Sequence, residues 1–143
     1  MEREMNTYTE LVAQLSWHNT SAVQAAAINA LSQKNDWDYS GAIINSEKGC
    51  WVNLFKVFDI MGADDSLLIN DYLLLLQDLN WPGALTAYDK LKKMKKEIIA
   101  PGLASALAKA ALEQDEDWEH NLRLLADFHG IVVTPALLNL IDM

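Results

Sequence analysis

The segment Asn80-Trp81-Pro82-Gly83-Ala84 constrains the fold more than any other, because it separates two stretches with helical apolar spacing. Proline cannot continue a helix but suits the first turn of a new one. We therefore expect one helix to end before Asn80 and another to begin after Pro82, joined by a tight corner as in an αα-hairpin. An antiparallel helix hairpin is thus the predicted building unit of the chain.

Apolar spacing predicts helices on both sides of this corner. They cover approximately residues 7–16, 20–32, 48–61, 66–79, 84–94, 101–112, 116–129 and 135–141. The turn-forming composition of residues 33–47 predicts a short helix or an irregular connection. A capping box at Thr7-x-x-Glu10 and a proline at Pro101 predict two helix starts, while Gly62 and Gly130 predict two left-handed helix ends.

No segment alternates apolar and polar residues for long enough to predict a sheet. The predicted helix pairs begin at a spacing of roughly 30 residues, which is typical of helical solenoids. We therefore predict an all-α fold in which four antiparallel helix hairpins stack as a short HEAT-like α-solenoid. The length of the chain predicts a single domain over residues 1–143.

The composition predicts a globular protein with an acidic surface. Hydrophobic residues make up 51% of the chain, and 20 acidic residues face 11 basic ones, for a net charge of −9. Such a charge repels nucleic acid and anionic lipid and attracts basic partners. The lysines between residues 90 and 96 are interpreted as a solvated helix end on this acidic body.

The same sequence favours a cytoplasmic location. A single cysteine excludes an internal disulfide framework, and the first residues lack the basic and apolar regions of a signal peptide. The longest apolar run, Tyr72 to Leu76, is far shorter than a membrane span requires.

The segment Leu79-Asn80-Trp81-Pro82-Gly83-Ala84, preceded by a leucine-rich helix, resembles a motif of small bacterial HEAT-like repeat proteins. Three further stretches are similar to this pattern: Leu15-Ser16-Trp17, Cys50-Trp51 with Asn53 and Lys56-Val57, and Asp115-Glu116-Asp117-Trp118 with Asn121-Leu122. Many proteins of this family are domains of unknown function, and some resemble immunity proteins of polymorphic toxin systems. The resemblance implies a helical-repeat fold and no particular catalytic residue.

The recurring tryptophans and asparagines are interpreted as structural. A buried tryptophan wedges adjacent repeats together, whereas an exposed one can anchor a partner. An asparagine amide can satisfy a donor and an acceptor at an adjoining helix end. Cys50 is interpreted as a buried structural thiol. The structural residues are Trp17, Trp51, Asn53, Asn80, Trp81, Pro82, Trp118 and Asn121.

The helix over residues 116–129 carries polar residues at i, i+4, i+7 and i+11, which places them in one stripe along the helix. The members of this stripe are Glu116, His120, Arg123 and Asp127. Two interpretations remain open, namely a ladder of intrahelical ion pairs and part of a concave binding surface. Glu116 and His120 lack a second pair at matching spacing, so no metal site and no acid–base site is predicted. The candidate partner-binding residues are Asp89, Lys93, Glu116, His120, Arg123 and Asp127.

Together these features predict a non-enzymatic helical-repeat module that binds a protein partner, with a cognate basic toxin as one candidate. No cofactor, metal, nucleic acid or membrane is expected. One alternative is an enzyme or small-ligand protein with a pocket between repeats, although no phosphate loop, nucleophile elbow or dinucleotide fingerprint occurs. The other is a scaffold or self-assembling module, in which the helix Pro135 to Ile141 is a solenoid cap or a dimer contact.

Overall fold

A computed structural model describes residues 2–34 and 36–133, with side chains from residue 8 onward. Within these ranges the fold is all-α, as predicted, and contains no strand. The helices are α1 Glu2–Gln14, α2 Ser21–Ser32, α3 Lys48–Met61, α4 Ile69–Leu75, α5 Ala84–Lys93, α6 Lys96–Leu112 and α7 Glu116–His129. The helix predicted over residues 135–141 lies outside the described residues.

Contacts divide the chain into two compact units, Met1–Leu67 and Leu68–Met143. In the first unit α1, α2 and α3 pack against one another, and in the second α4 packs on α5 and α6 while α7 packs on α5 and α6. That the chain forms a single domain, and that its hairpins stack as a solenoid, therefore remain predictions.

Two helices of the first unit begin and end where the sequence predicts. Thr20 caps α2, because its Oγ1 accepts a hydrogen bond of 3.2 Å from the Val23 N–H. Gly62 ends α3 with φ of 67°, in the left-handed region that glycine adopts without steric cost. The prediction for α2 and α3 is confirmed.

The start predicted for the first helix at Thr7 is wrong, because α1 extends back to Glu2 and Thr7 lies inside it. The preceding residues Glu2, Arg3, Glu4 and Met5 all have high helix propensity, so nothing in them stops the helix. A capping-box pattern predicts a helix start only where the residues before it disfavour the helix.

Residues 36–47 form an irregular connection of turns, which is one of the two predicted outcomes. This connection still contributes to the core, since Trp37 and Ile43 are buried. The indole N–H of Trp51, on α3, donates a hydrogen bond of 3.0 Å to the Ile43 carbonyl. The connection is therefore held against α3 without forming a helix of its own.

The helix predicted over residues 66–79 is shorter than expected. A 3₁₀ turn, Asp65–Leu68, precedes α4, and the N–H groups of Leu76 and Gln77 bond to carbonyls three residues back. Asp78 then starts a turn, because its Oδ1 accepts from the Asn80 N–H at 2.8 Å. The polar turn residues therefore end the helix before the corner, although the apolar pattern continues to Leu79.

The corner at residues 80–84 turns the chain from α4 into α5, as predicted. The Trp81 N–H donates to the Asp78 carbonyl at 3.0 Å, and the Ala84 N–H donates to the Trp81 carbonyl at 3.0 Å. Gly83 caps α5 with φ of 81°, in the left-handed region. Pro82 thus precedes the helix rather than opening it.

We expect the change Gly83→Ala to lower the free energy of unfolding by about 1–2 kcal/mol, because a side chain at positive φ is strained. Gly83→Asn is the matched control, since asparagine tolerates this conformation and should cost less. Urea unfolding of both variants measures the difference. Equal stability of Gly83→Ala and the unchanged chain would contradict this role of the corner.

Apolar spacing predicts a buried face of Ala84, Leu85, Tyr88, Leu91 and Met94 for α5, and the observed face differs at Leu85 and Ala87. Ala84, Ala87 and Leu91 are fully buried, whereas Leu85 is exposed. Leu85 is expected to be buried because it is apolar, but the smaller Ala87, one helical turn before Leu91, lies on the buried face instead. Leu85 remains on the surface.

The helix start predicted at Pro101 is wrong, because α6 begins at Lys96 and Pro101 lies inside it. Lys95 precedes the helix with extended backbone and no side-chain cap, so the sequence carries no start signal there. Proline has no backbone N–H, so Pro101 cannot donate a hydrogen bond to the carbonyl of Glu97, four residues before it. Because Pro101 is exposed, this carbonyl lies near solvent.

Three lysines of the basic run, Lys90, Lys92 and Lys93, lie in the last turn of α5, where their positive charge interacts favourably with the helix dipole.

Candidate functional site

The predicted polar stripe lies on the solvent side of α7. Asp115 caps this helix by accepting a hydrogen bond of 3.1 Å from the Trp118 N–H. The opposite side of the helix is buried through Trp118, Leu122 and Leu125. The stripe residues Glu116, His120, Arg123 and Asp127 are all exposed.

The ion pair on this helix differs from the predicted ladder. Arg123 donates from both Nε and Nη2 to Oε1 of Glu119, at 3.2 and 2.9 Å. Glu119 is one turn before Arg123 but was not in the predicted stripe. The pairing neutralises the positive charge of α7 and leaves Glu116 and Asp127 as exposed carboxylates.

Two apolar side chains lie beside the stripe. Leu124 is 42% exposed and Phe128 is 60% exposed. They are one helical turn apart, so they lie on the same side of α7. We call the exposed set Glu116, His120, Arg123, Leu124, Asp127 and Phe128 the α7 face.

Lys92, a residue of α5, lies against the α7 face. The Nζ of Lys92 is 5.6 Å from the ring centre of Phe128 and 5.0 Å from that of Tyr88. The same Nζ lies 3.4 Å from the Asp89 carboxylate. The structure therefore brings the predicted residue Asp89 close to the α7 face, while Lys93 is exposed and outside this cluster.

Two of the residues assigned structural roles connect α7 to the end of α4. The Trp118 indole is buried and donates a hydrogen bond of 2.9 Å to the Leu73 carbonyl. The Asn121 amide donates at 2.8 Å to the Leu76 carbonyl. Leu73 lies in the last turn of α4 and Leu76 directly follows that helix, so both bonds hold α7 to the C-terminal end of α4.

The asparagine of α3 connects the helices of the first unit. The Asn53 amide nitrogen is 2.7 Å from the Leu15 carbonyl and 2.9 Å from Oε1 of Gln24. Leu15 directly follows α1, and Gln24 lies on α2. One buried amide therefore ties all three helices together.

Other residues of the predicted structural group are less buried. Trp17 is 55% exposed, so the burial expected of a wedge is absent there. Its indole instead covers Gly49, where an added Cβ would meet the Trp17 Nε1 at 3.0 Å. At the corner Asn80 is exposed, and Trp81 and Pro82 are half-buried.

A cleft of about 760 Å³ lies in the first unit, between the second half of α1 and residues 36–50. It was not predicted from the sequence, because its walls come from two segments more than twenty residues apart. We call it the N-terminal cleft and define it by Tyr8, Asp36, Trp37, Asp38, Glu47 and Cys50.

Hydrogen bonds hold the polar groups of the N-terminal cleft. The Tyr8 hydroxyl donates to Oδ1 of Asp36 at 2.7 Å, and the Ser40 N–H donates to Oδ1 of Asp38 at 3.1 Å. The Ser16 hydroxyl donates to Oε1 of Glu47. Three carboxylates thus line the cleft, and each accepts a hydrogen bond.

Cys50 is buried at the base of this cleft, as predicted for a structural thiol. Burial, together with the nearby Glu47 carboxylate, raises the pKa of its thiol above the ordinary value. A raised pKa leaves less of the thiolate that a nucleophile or a metal ligand requires. Cys50 is therefore poorly suited to act as a nucleophile or as a metal ligand.

Among the described side chains, those of residues 8–34 and 36–133, no group of three or more His, Cys, Asp or Glu residues is placed to hold a metal ion. None of the described helices is both long enough and apolar enough to cross a membrane. Comparison of the chain with protein-family models, with curated proteins and with solved structures gives no significant match.

Proposed function

We propose that this protein is a non-enzymatic binding module that holds a basic protein partner on the α7 face. The observation that carries the proposal is the exposure of Leu124 and Phe128 among carboxylates of the same helix. An exposed aromatic side chain surrounded by polar groups is typical of the centre of a protein interface.

The charge around this face favours a basic partner. Residues 113–129 contain one arginine and six carboxylates, which are Glu113, Asp115, Glu116, Asp117, Glu119 and Asp127. Arg123 is paired with Glu119, and Lys92, which lies over Phe128, is paired with Asp89, so acidic groups still outnumber basic ones around the face. An acidic surface accelerates encounter with a basic protein and does so less as salt rises.

The family resemblance extends this proposal to the kind of partner. It would make the protein a bacterial immunity protein and the partner a cognate basic toxin, bound in the cytoplasm. The same resemblance supports stacking of the helix hairpins as a short HEAT-like α-solenoid. An experimental structure of the full chain would test this architecture.

Affinity capture from the source organism tests the proposal with two matched variants. Phe128→Ser removes the aromatic centre of the α7 face, and Ile60→Ser removes a side chain of similar exposure, 64%, from α3. We expect the unchanged chain and Ile60→Ser to capture the same basic protein, and Phe128→Ser to lose it by about tenfold or more. Binding should weaken as the salt concentration rises.

Three results would contradict the proposal. They are capture of no specific protein, capture of an acidic protein, and equal loss of the partner by both variants. Light scattering adds a fourth, because a dimer that Phe128→Ser dissociates would assign the α7 face to self-assembly.

A further inference from the structure

We propose that this protein associates with copies of itself head to tail, through the two ends of α6. The basic end is a set of exposed residues around the start of this helix, namely Lys93, Lys95, Lys96 and Ile98. The acidic end is an exposed set around its last residue, namely Leu112, Glu113 and Asp117. Both ends lie in the second unit and share no residue with the α7 face, so this proposal does not depend on the proposed function.

The two ends of α6 carry opposite charges, although the chain as a whole is acidic. Residues 90–98 contain five lysines and one glutamate, a net charge of +4, while residues 109–117 contain one lysine and four carboxylates, a net charge of −3. The 17 residues of α6 separate these groups by about 25 Å, at a rise of 1.5 Å per residue. This distance is about three screening lengths at physiological salt, so the two ends do not neutralise each other within one copy.

Three of these charges oppose the dipole of α6. Lys95 and Lys96 stand at the positive end of the helix, and Glu113 directly follows its negative end. The dipoles of the adjoining helices explain the lysines in the last turn of α5 and the carboxylates in the first turn of α7, but not these three residues. In a head-to-tail contact each of them meets opposite charge on the neighbouring copy, and the two α6 dipoles align.

Each end of α6 also exposes an apolar side chain. Leu112, the last residue of the helix, is 85% exposed, and Ile98, in its first turn, is 46% exposed. An apolar centre within a polar rim is the usual arrangement of a protein interface. Contact of Leu112 with Ile98 of the neighbouring copy removes both side chains from water while the charges around them pair.

A second copy fits the basic end better than nucleic acid does. The net charge of −9 repels a polyanion of high charge density, whereas a second copy offers the matching charge and an apolar side chain at one end. Repulsion between whole copies is screened beyond about 8 Å at physiological salt, while charges in contact still attract. Because the two ends are small, we expect a weak association, with a dissociation constant of about 0.1–1 mM.

Sedimentation equilibrium of the purified full chain, from about 0.01 to 1 mM at physiological salt, tests this association. We expect the weight-average mass to rise with concentration and to fall again as salt is added, because salt screens the paired charges. A contact between unlike ends does not stop at a pair, so species larger than a dimer should form at the highest concentrations.

Two charge-reversed variants and their mixture assign the contact to the ends of α6. Lys95→Glu with Lys96→Glu makes both ends acidic, and Glu113→Lys with Asp117→Lys makes both ends basic. All four positions are exposed, so both variants should fold, which circular dichroism checks. We expect each variant alone to associate about tenfold or more weakly than the unchanged chain, and their equimolar mixture to associate again, because it restores contact between an acidic and a basic end.

The double change Lys48→Glu with Lys56→Glu is the matched control for net charge. It alters two exposed lysines of α3 and shifts the net charge from −9 to −13, as the acidic variant of α6 does. It should weaken association far less than Lys95→Glu with Lys96→Glu. Phe128→Ser should associate like the unchanged chain, which separates this contact from the α7 face.

The proposal would be overturned if the unchanged chain keeps a monomeric mass up to about 1 mM. It would also be overturned if either variant alone associates as strongly as the unchanged chain, or if the mixture associates no more than its components. A fluorescent single-stranded oligonucleotide is titrated in parallel. If it binds a chain that does not self-associate, and Lys95→Glu with Lys96→Glu abolishes that binding, the basic end belongs to nucleic acid instead.

Discussion

Replacing Trp118 by alanine is expected to lower the free energy of unfolding by about 3–5 kcal/mol, the usual cost of truncating a large buried aromatic. The indole is buried beneath α7, and its N–H bonds to the Leu73 carbonyl at the end of α4. The change therefore removes both packing and a hydrogen bond between two helices. Urea unfolding, followed by circular dichroism, measures the loss.

Two further variants separate the contributions to this effect. Trp118→Phe keeps most of the packing and removes the indole N–H, so it should cost about 1–2 kcal/mol. Trp17→Ala removes the same kind of side chain from an exposed position, so it should cost far less than Trp118→Ala. Equal losses at positions 17 and 118 would show that burial does not determine the role of these tryptophans.

The change Asn53→Ala is expected to lower the free energy of unfolding by about 1–3 kcal/mol, because it leaves the buried Leu15 carbonyl without its amide donor. It also removes the bond to Gln24 of α2, so α1, α2 and α3 lose their common connection. The loss should appear in urea unfolding and as faster hydrogen exchange in α1.

Asn121→Ala is the matched control for this prediction. The Asn121 amide makes a hydrogen bond to the Leu76 carbonyl from a half-buried position, so its removal should cost about 0.5–1.5 kcal/mol. The account of Asn53 is wrong if its removal costs less than that of Asn121.

Local chemistry predicted much of the helical fold. Thr20, Gly62 and Gly130 lie at helix ends where side-chain capping or positive φ is a property of single residues, and the structure has the helix ends there. The helix predicted over residues 66–79 contains α4, and the apolar run Tyr72 to Leu76 is buried except for Leu74. These signals need no knowledge of tertiary contacts.

Two helix starts could not be predicted because the sequence gives no local signal for them. α6 begins at Lys96 without a side-chain cap, and Pro101 inside it resembles a start. The first helix continues through Thr7 because the residues before it are good helix formers. In both cases a start signal occurs inside a helix that began earlier.

The candidate sites were predicted to different extents. The stripe of α7 follows from helical periodicity, so its exposed residues were identified from spacing alone. Leu124 and Phe128 were missed, because apolar residues on an amphipathic helix are expected to be buried. The N-terminal cleft was missed because tertiary packing brings α1 next to residues 36–50, and no local pattern encodes that contact.

Hydrogen–deuterium exchange of the protein with its captured partner tests the central claim most directly. The account predicts slower exchange in residues 116–129 when the partner is added, and no such slowing for the variant Phe128→Ser. Protection confined to α1, α2 and α3, with exchange in residues 116–129 unchanged, would contradict it.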